Sequence, residues 1–182
     1  LQVRGVLAAD AESILFQANP INDATSLHVW RRRNDGTLTA LTDEPGIHML
    51  TERGGTSITR STTLDEPGAN HLVTPSSGSA RSLESLAETP LVTPNVQFFR
   101  SDVTGLISAQ LLPHDHDGSL LPVLLDPYGG PHALRVQNSF NAFVASQWFA
   151  DQGFAVLVTD NRGTPGRGSA WERAVHGDLA TA

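Results

Sequence analysis

The segment Pro122-Val-Leu-Leu-Asp-Pro-Tyr-Gly-Gly-Pro-His132 decides the fold of this chain. It overlaps an apolar run from Leu120 to Leu125, which predicts a strand buried on both faces, as in a parallel sheet. The Gly-Gly pair marks a turn at the carboxyl end of that strand, where open α/β sheets gather ligands and catalytic groups. From the residues alone, Tyr128 is either a surface residue beside this turn or a hydroxyl held for catalysis.

The residues after this loop predict a strand–helix–strand unit. Ser139 is the predicted N-cap and Gly153 the C-terminal cap of a helix of about 12 residues. Apolar residues recur in it at helical spacing: Phe140, Phe143, Val144 and Trp148. Phe154 to Thr159 is a second buried strand, and a second helix begins near Ser169. Such a unit belongs to a parallel sheet, and its helix places Trp148 and Phe149 in the core.

Residues 1–85 predict an antiparallel β structure that repeats. Short strand-like runs separated by turn clusters are Arg4 to Ala9, Ser13 to Ala18, Ser26 to Arg31 and Thr37 to Leu41. Segments recur 42 to 44 positions later, for example Ile14 to Asn19 at Ser57 to Thr62. Four-stranded propeller blades repeat at roughly 40 to 50 residues, so the pattern predicts two blades. A coincidence between two hairpin-rich stretches is the alternative.

A connection separates this part from the α/β unit. Residues 86–95 hold two prolines and little periodicity. Val96 to Arg100 and Leu106 to Pro113 then predict a β-pair, which is followed by a turn from His114 to Gly118.

Composition excludes several classes of function. The 12 Lys and Arg residues face 19 Asp and Glu residues, and the net charge of -7 repels the phosphates of nucleic acid. No apolar run approaches the ~20 residues that span a bilayer, which argues against a membrane partner. Without cysteine there is no disulfide, thiolate metal site or cysteine nucleophile. A reducing compartment is permitted, and we expect a cytoplasmic protein, with the periplasm or secretion left open.

The sequence resembles a known family at two blocks. The segment Pro122 to His132, followed by Gln147-Trp-Phe-Ala-Asp-Gln-Gly-Phe-Ala-Val-Leu-Val-Thr-Asp-Asn-Arg-Gly-Thr-Pro-Gly-Arg-Gly-Ser169, is similar to the start of the catalytic domain in prolyl oligopeptidase-family serine peptidases. The dipeptidyl-peptidase IV-like branch is nearest. The resemblance implies C-terminal blades of a β-propeller over residues 1–88 and the N-terminal part of an α/β-hydrolase peptidase domain over residues 89–182. We therefore expect a piece of a longer protein.

The resemblance also implies a role for Tyr128. In the family, the tyrosine of this motif gives its hydroxyl to the oxyanion hole, and α/β-hydrolases place an oxyanion donor in this loop. The nucleophilic serine needs a Gly-x-Ser-x-Gly turn, followed by an acid and a histidine, and the sequence has no such turn. The family places this triad beyond Ala182. We expect the chain alone to be inactive, with its substrate-binding residues unassigned.

For the full-length parent, the resemblance implies hydrolysis of short peptides through an acyl-serine, with release of N-terminal dipeptides and without metal or cofactor. A homodimer is left open. The alternatives are an oligopeptidase, an acylaminoacyl-peptidase, or a non-catalytic scaffold that binds partner proteins.

Three further groups of charged residues are interpreted as structural rather than functional. Arg162 is expected to brace its loop by pairing with Asp160 or a neighbouring acid, although it is also a candidate for steering a peptide carboxylate or carbonyl. The His-Asp-His-Asp sequence from His114 predicts a solvated turn rather than a metal site, because no second set of ligands accompanies it. Arg31, Arg32 and Arg33 are expected at a strand end.

Overall fold

A computed structural model describes residues 1–178, so the last four residues of the predicted catalytic part lie outside the described residues. The described chain forms three four-stranded sheets. The strands are β1 (Gln2–Ala9), β2 (Ser13–Asn19), β3 (His28–Arg33), β4 (Leu38–Ala40), β5 (Ile47–Arg53), β6 (Thr56–Thr62), β7 (Asn70–Thr74), β8 (Arg81–Leu83), β9 (Val96–Arg100), β10 (Ile107–Leu111), β11 (Val123–Tyr128) and β12 (Ala155–Asp160). The helices are α1 (Val144–Ala150) and α2 (Ser169–Glu172), with 3-10 turns at Phe140–Ala142 and Arg173–Val175.

The first two sheets are antiparallel meanders in the orders β1-β2-β3-β4 and β5-β6-β7-β8. The repeat in the sequence aligns β2 with β6 and β4 with β8. A two-residue hairpin turn joins β5 to β6, since Arg53 pairs with Thr56. Gly54 and Gly55 fill that turn with φ of 56° and 75°, the left-handed conformation that such hairpins require. The predicted propeller blades are confirmed.

The third sheet has the order β11-β12-β10-β9. Strands β9 and β10 form the predicted antiparallel pair, while β11 runs parallel to β12 across the helical crossover. Strand β11 starts three residues later than the apolar run predicts and continues through Pro127. The prediction that this strand is buried on both faces is wrong, since Val123 and Leu125 are 62% and 63% exposed at the edge of the sheet. Proline is tolerated there because β11 lies at the edge of the sheet, where one side of the strand needs no ladder hydrogen bond. The start of an α/β-hydrolase domain is confirmed.

The crossover helix differs from its prediction. It breaks at Phe143, whose φ of -119° separates the 3-10 turn from α1. The break turns Gln147 inward, and the prediction that Trp148 and Phe149 are core residues is wrong, since they are 50% and 43% exposed. The side chain of Ser139 makes no capping hydrogen bond. The predicted C-terminal cap is confirmed, because the Gly153 N–H donates to the Ala150 carbonyl at 2.8 Å. Helix α2 begins at Ser169, as predicted.

The amide of Gln147 replaces an apolar contact in the core. Its Nε2 donates to the Leu112 carbonyl at 3.0 Å, and its Oε1 accepts from the Asn95 N–H at 2.9 Å. The fully buried side chain therefore ties the connection between the two parts to α1 and to the end of β10. Around it, α1 covers one face of the sheet through a cluster that includes Leu111, Phe143, Val156 and Val158.

The first blade joins the α/β part through polar groups. The Nδ2 of buried Asn19 donates to the Gly166 carbonyl at 2.7 Å. Gln2 accepts from the Gly168 N–H at 2.5 Å and donates to the Glu172 carboxylate. These contacts hold the loop that follows β12 against β1 and the end of β2. Within residues 1–178, no helix is long and apolar enough to cross a membrane.

Candidate active site

Two loops leave the same edge of the third sheet. Tyr128 ends β11 and Asp160 ends β12, and the two residues are partners in the parallel ladder. The Asn161 N–H donates to the Tyr128 carbonyl at 2.7 Å, which extends the pairing one step beyond the strands. The carboxyl ends of the strands thus bring the Gly-Gly loop and the Asp-Asn-Arg-Gly loop side by side, as expected for an open α/β sheet.

The ring of Tyr128 lies over Gly130. A Cβ on Gly130 would lie 2.7 Å from the tyrosine hydroxyl oxygen and 3.0 Å from Cζ, so only glycine leaves room for this ring position. Tyr128 is half-buried, and its hydroxyl donates to no group among residues 1–178. A half-buried phenol with an uncommitted hydroxyl is suited to donate to a negatively charged oxygen that forms beside it.

A carboxylate and an arginine anchor the far end of the Gly-Gly loop. Asp160, only 2% exposed, accepts the Arg135 N–H at 2.9 Å and the Val136 N–H at 2.9 Å. The Arg135 guanidinium donates to both carboxylate oxygens of Asp126, at 3.0 and 2.5 Å. Burial raises the pKa of Asp160, while the two backbone N–H groups act in the opposite direction. The loop carrying Gly129 and Gly130 is therefore tied to both β11 and β12 behind the tyrosine.

The two loops also touch through their backbones. A Cβ on Gly163 would lie 2.9 Å from the Gly129 carbonyl oxygen and 2.5 Å from Cγ1 of Val175. The Gly163 N–H donates to the Trp171 carbonyl at 3.0 Å, which fixes the second loop against α2. This close approach explains the glycine of the Asp-Asn-Arg-Gly segment, and it leaves little freedom for either loop to move alone.

The predicted pairing of Arg162 with Asp160 is wrong. The Asp160 carboxylate binds backbone N–H groups of the neighbouring loop, and the ion pairs within residues 1–178 do not include one between these two residues. Arg162 is exposed beside the hairpin that joins β9 to β10, where it lines a cavity with Thr104 and Leu106. Its role in steering a peptide stays a prediction.

The other predicted clusters are found at surface turns and strand ends. His114 begins a turn, as predicted, and its Nδ1 lies 2.9 Å from Oδ1 of Asp151 at the end of α1. Arg31, Arg32 and Arg33 end β3, which confirms their placement, and Arg31 pairs with Glu52 of the second blade at 2.5 Å.

A serine–histidine pair lies in the second blade, away from this edge. Ser61 Oγ is 2.8 Å from His48 Nδ1, and the opposite nitrogen of the ring donates to the Glu44 carbonyl at 2.8 Å. The His48 ring is 3% exposed and stacks on His28 with 5.6 Å between ring centroids. A substrate has no access to this pair, which joins β5 to β6 and packs one blade against the other.

The sequence missed the anchor formed by Asp126, Arg135 and Asp160. Asp126 and Arg135 are nine positions apart without a recognisable motif, and Asp160 joins them only after the parallel register of β11 and β12 is formed. The one local signal was an acid at the end of each apolar strand.

Fold and site together define a protein with propeller blades joined to the first strands of an α/β-hydrolase, with Tyr128 at the carboxyl end of its first parallel strand. The prolyl oligopeptidase family matches residues 138–182. Dipeptidyl peptidase 8 of Mus musculus and that of Homo sapiens are each 34% identical over 97 residues, which is 50% of this chain. The crystal structure of Porphyromonas gingivalis dipeptidyl peptidase 4 aligns with a TM-score of 0.75 and 21% identity, over 94% of this chain.

These comparisons confirm the resemblance seen in the motifs: the chain is similar to proteins of the prolyl oligopeptidase family and, within it, to the dipeptidyl-peptidase IV-like branch. The chain spans 11% of the length of the dipeptidyl peptidase 8 relatives and 26% of the solved structure.

Proposed function

We propose that this chain is the junction of propeller and catalytic domain in a longer serine peptidase, with the boundary near residue 88. The observation that carries the proposal is the position of Tyr128: at the carboxyl end of a parallel strand, over Gly130, with an uncommitted hydroxyl. The relatives that match half of the chain are named dipeptidyl peptidases, which supports the release of N-terminal dipeptides.

In the proposed reaction, a serine supplied by the parent attacks the carbonyl carbon of the peptide bond. Negative charge then develops on the former carbonyl oxygen. The Tyr128 hydroxyl donates to this oxygen together with the backbone N–H that follows the nucleophile. Collapse of the tetrahedral intermediate breaks the C–N bond: the parent's histidine, which took the proton of the serine, returns it to the leaving amine, and an acyl-serine remains. Water then attacks the acyl-serine in a second step that uses the same two donors and frees both the acid product and the serine. Asp160 and Arg135 act indirectly, since they hold the loop that positions the tyrosine.

The blades support the proposal that substrates are short peptides. The first blade is bonded directly to the loop after β12, so the propeller stands beside the site and restricts access to it. For the parent we also propose a cytoplasmic location. Whether the parent forms a homodimer is a matter for measurement of its molecular mass in solution.

The test is an assay of the full-length parent with chromogenic dipeptide substrates and a serine-directed phosphonate probe. We expect release of the chromophore from substrates with a free amino terminus, labelling of one serine, and loss of activity after labelling. A parallel series with a blocked amino terminus separates the outcomes, because an oligopeptidase or acylaminoacyl-peptidase cleaves it and a dipeptidyl peptidase does not. Absence of both turnover and labelling in the folded parent contradicts the proposal.

A further inference from the structure

A cleft between the first blade and the α/β part holds two arginines that lack acidic partners. Its volume is about 450 Å³, and it is lined by Ile21, Asn22, Arg100, Gly105, Arg167 and Trp171. Arg100 ends β9, Gly105 lies in the hairpin before β10, and Arg167 lies in the loop after β12. The cleft thus opens beside the sheet edge that carries the candidate active site.

The two guanidinium groups converge on Gly105. A Cβ at this position would lie 3.5 Å from Nη2 of Arg167 and 3.9 Å from Nη2 of Arg100. Arg167 is fixed, because its Cζ lies 3.5 Å above the ring of Trp171 and its Nη2 donates to the Gly105 carbonyl at 2.5 Å. The Arg100 side chain makes no hydrogen bond or ion pair with residues 1–178, and the residue is exposed. Arg167 therefore contributes a fixed positive charge, and the N–H groups of the Arg100 guanidinium are available to donate hydrogen bonds to a ligand.

No acid in the described part of the chain neutralises this pair. The ion pairs within residues 1–178 include neither Arg100 nor Arg167, and Asp102, although close in sequence, does not pair with Arg100. Glu172 is bonded to the Gly166 N–H and to Gln2. Burial and the charge of Arg100 both lower the pKa of Arg167, and the charge of Asp160 only partly offsets them. Two adjacent guanidinium groups without an acid paired to them attract a small anion at this place.

The register of the sheet gives the distance from this cleft to the tyrosine. Arg100 pairs with Ile107, Ile107 with Asp160, and Asp160 with Tyr128, so one row crosses all four strands. At ~4.8 Å between neighbouring strands, Arg100 lies roughly 14 Å from Tyr128. An extended peptide covers that distance in about four residues, at ~3.4 Å per residue.

We propose that this cleft binds a carboxylate of the peptide substrate about four residues from the bond that is cut. The proposed release of dipeptides leaves only two residues on the acyl side of that bond, so this carboxylate belongs to the side of the leaving amine. The carboxylate bonds to Arg100 in the field of Arg167, and it comes either from the peptide C-terminus or from an acidic side chain. This inference rests on the proposed peptidase function. Arg100 sets a preference for the length or charge of the substrate and takes no part in the chemistry.

The experiment compares peptides of one sequence with four residues after the scissile bond. One has a free C-terminal carboxylate, a second a C-terminal amide, and a third a C-terminal amide with glutamate at the fourth position. In the full-length parent, we expect kcat/KM to be about tenfold higher for at least one carboxylate peptide than for the plain amide, the size of one charge-assisted hydrogen bond. Arg100→Gln removes this preference, 0.5 M salt weakens it, and the matched control Arg81→Gln, an exposed arginine in β8, leaves it intact.

Calorimetric binding of the same peptides with a reduced, uncleavable bond separates this inference from the peptidase proposal. Tighter binding of a carboxylate peptide that Arg100→Gln abolishes supports the cleft even if the parent cuts nothing. Cleavage at equal kcat/KM for acid and amide peptides, unchanged in Arg100→Gln, overturns the cleft and leaves the peptidase standing. If acid and amide peptides are bound equally well and cleaved equally fast, the inference is also overturned.

Discussion

Replacement of Tyr128 by phenylalanine tests the central residue of the proposed site. The ring packs over Gly130, and phenylalanine keeps that contact through the same ring atoms. The hydroxyl bonds to nothing among residues 1–178, so its removal breaks no hydrogen bond of the described fold. We expect the free energy of unfolding to change by less than about 0.5 kcal/mol, the range of a neutral surface substitution.

Tyr128→Phe should reduce the stabilisation of the transition state far more than the stability of the folded protein. The developing oxyanion has two proposed donors, and Tyr128→Phe deletes one of them. Loss of a single oxyanion donor lowers kcat by about 10² to 10³, or roughly 3 to 4 kcal/mol. KM should move little, because the donor acts on charge that appears only during the reaction.

The assay is steady-state kinetics of the full-length parent on a chromogenic dipeptide substrate, with a melting curve for each variant. If folded Tyr128→Phe keeps kcat within about threefold of the wild type, a loss below roughly 0.7 kcal/mol, then Tyr128 is a turn residue and the assignment is wrong.

The remaining predictions concern the supports of the site and the chain itself. Gly130→Ala should lower kcat about as much as loss of the tyrosine hydroxyl, because its Cβ would lie 2.7 Å from that oxygen. The matched control is Gly129→Ala, whose Cβ would make no contact below 3.5 Å. Equal rates for both variants would contradict the geometry. Asp160→Asn should lower the free energy of unfolding by about 1 to 3 kcal/mol at neutral pH, because the two loop N–H groups bond to different oxygens of the carboxylate and the substitution turns one of these oxygens into an NH2 donor. An unchanged denaturant midpoint would exclude this anchor. Burial and the stacked histidine beside it lower the pKa of His28 below its ordinary 6.5, so the folded protein resists protonation at this residue. Stability should therefore fall as the pH drops from 6.5 towards the lowered pKa. In that window the melting temperature of His28→Asn should depend less on pH than that of the wild type. The 182-residue chain alone should show neither peptide turnover nor labelling by a serine-directed phosphonate, and stoichiometric labelling would mean that the motifs were misinterpreted.

The sequence was sufficient to predict secondary structure where the local residue pattern and the turn residues indicate the same element. The blade strands follow from short strand-like runs separated by turn clusters, and the sequence repeat corresponds to two sheets with the same four-strand order. Strand β12 was predicted to within one residue, since its apolar run is buried and ends at a charged residue. The position of Tyr128 at a strand end also followed from the sequence.

The failures have physical causes outside local pattern. Strand β11 passes through Pro127 because it lies at the sheet edge, a fact of topology rather than of composition. The break at Phe143 rotates α1, so helical spacing counted from Phe140 assigns Trp148 to the wrong face. The Asp160 anchor depends on backbone N–H groups more than twenty positions away, which no side-chain pattern encodes.

The contacts of Gln2 and Asn19 with the loop after β12 limit how enzymes of this architecture can be recombined. A chimaera that takes its propeller from one parent and its hydrolase domain from another would place a foreign strand against Gly166 and Gly168. A Cβ on Gly166 would lie 2.6 Å from Nη1 of Arg4, so the fit extends to individual atoms. Transplants should therefore carry β1, β2 and the segment from Gly163 to Glu172 as one unit, even though they are distant in sequence.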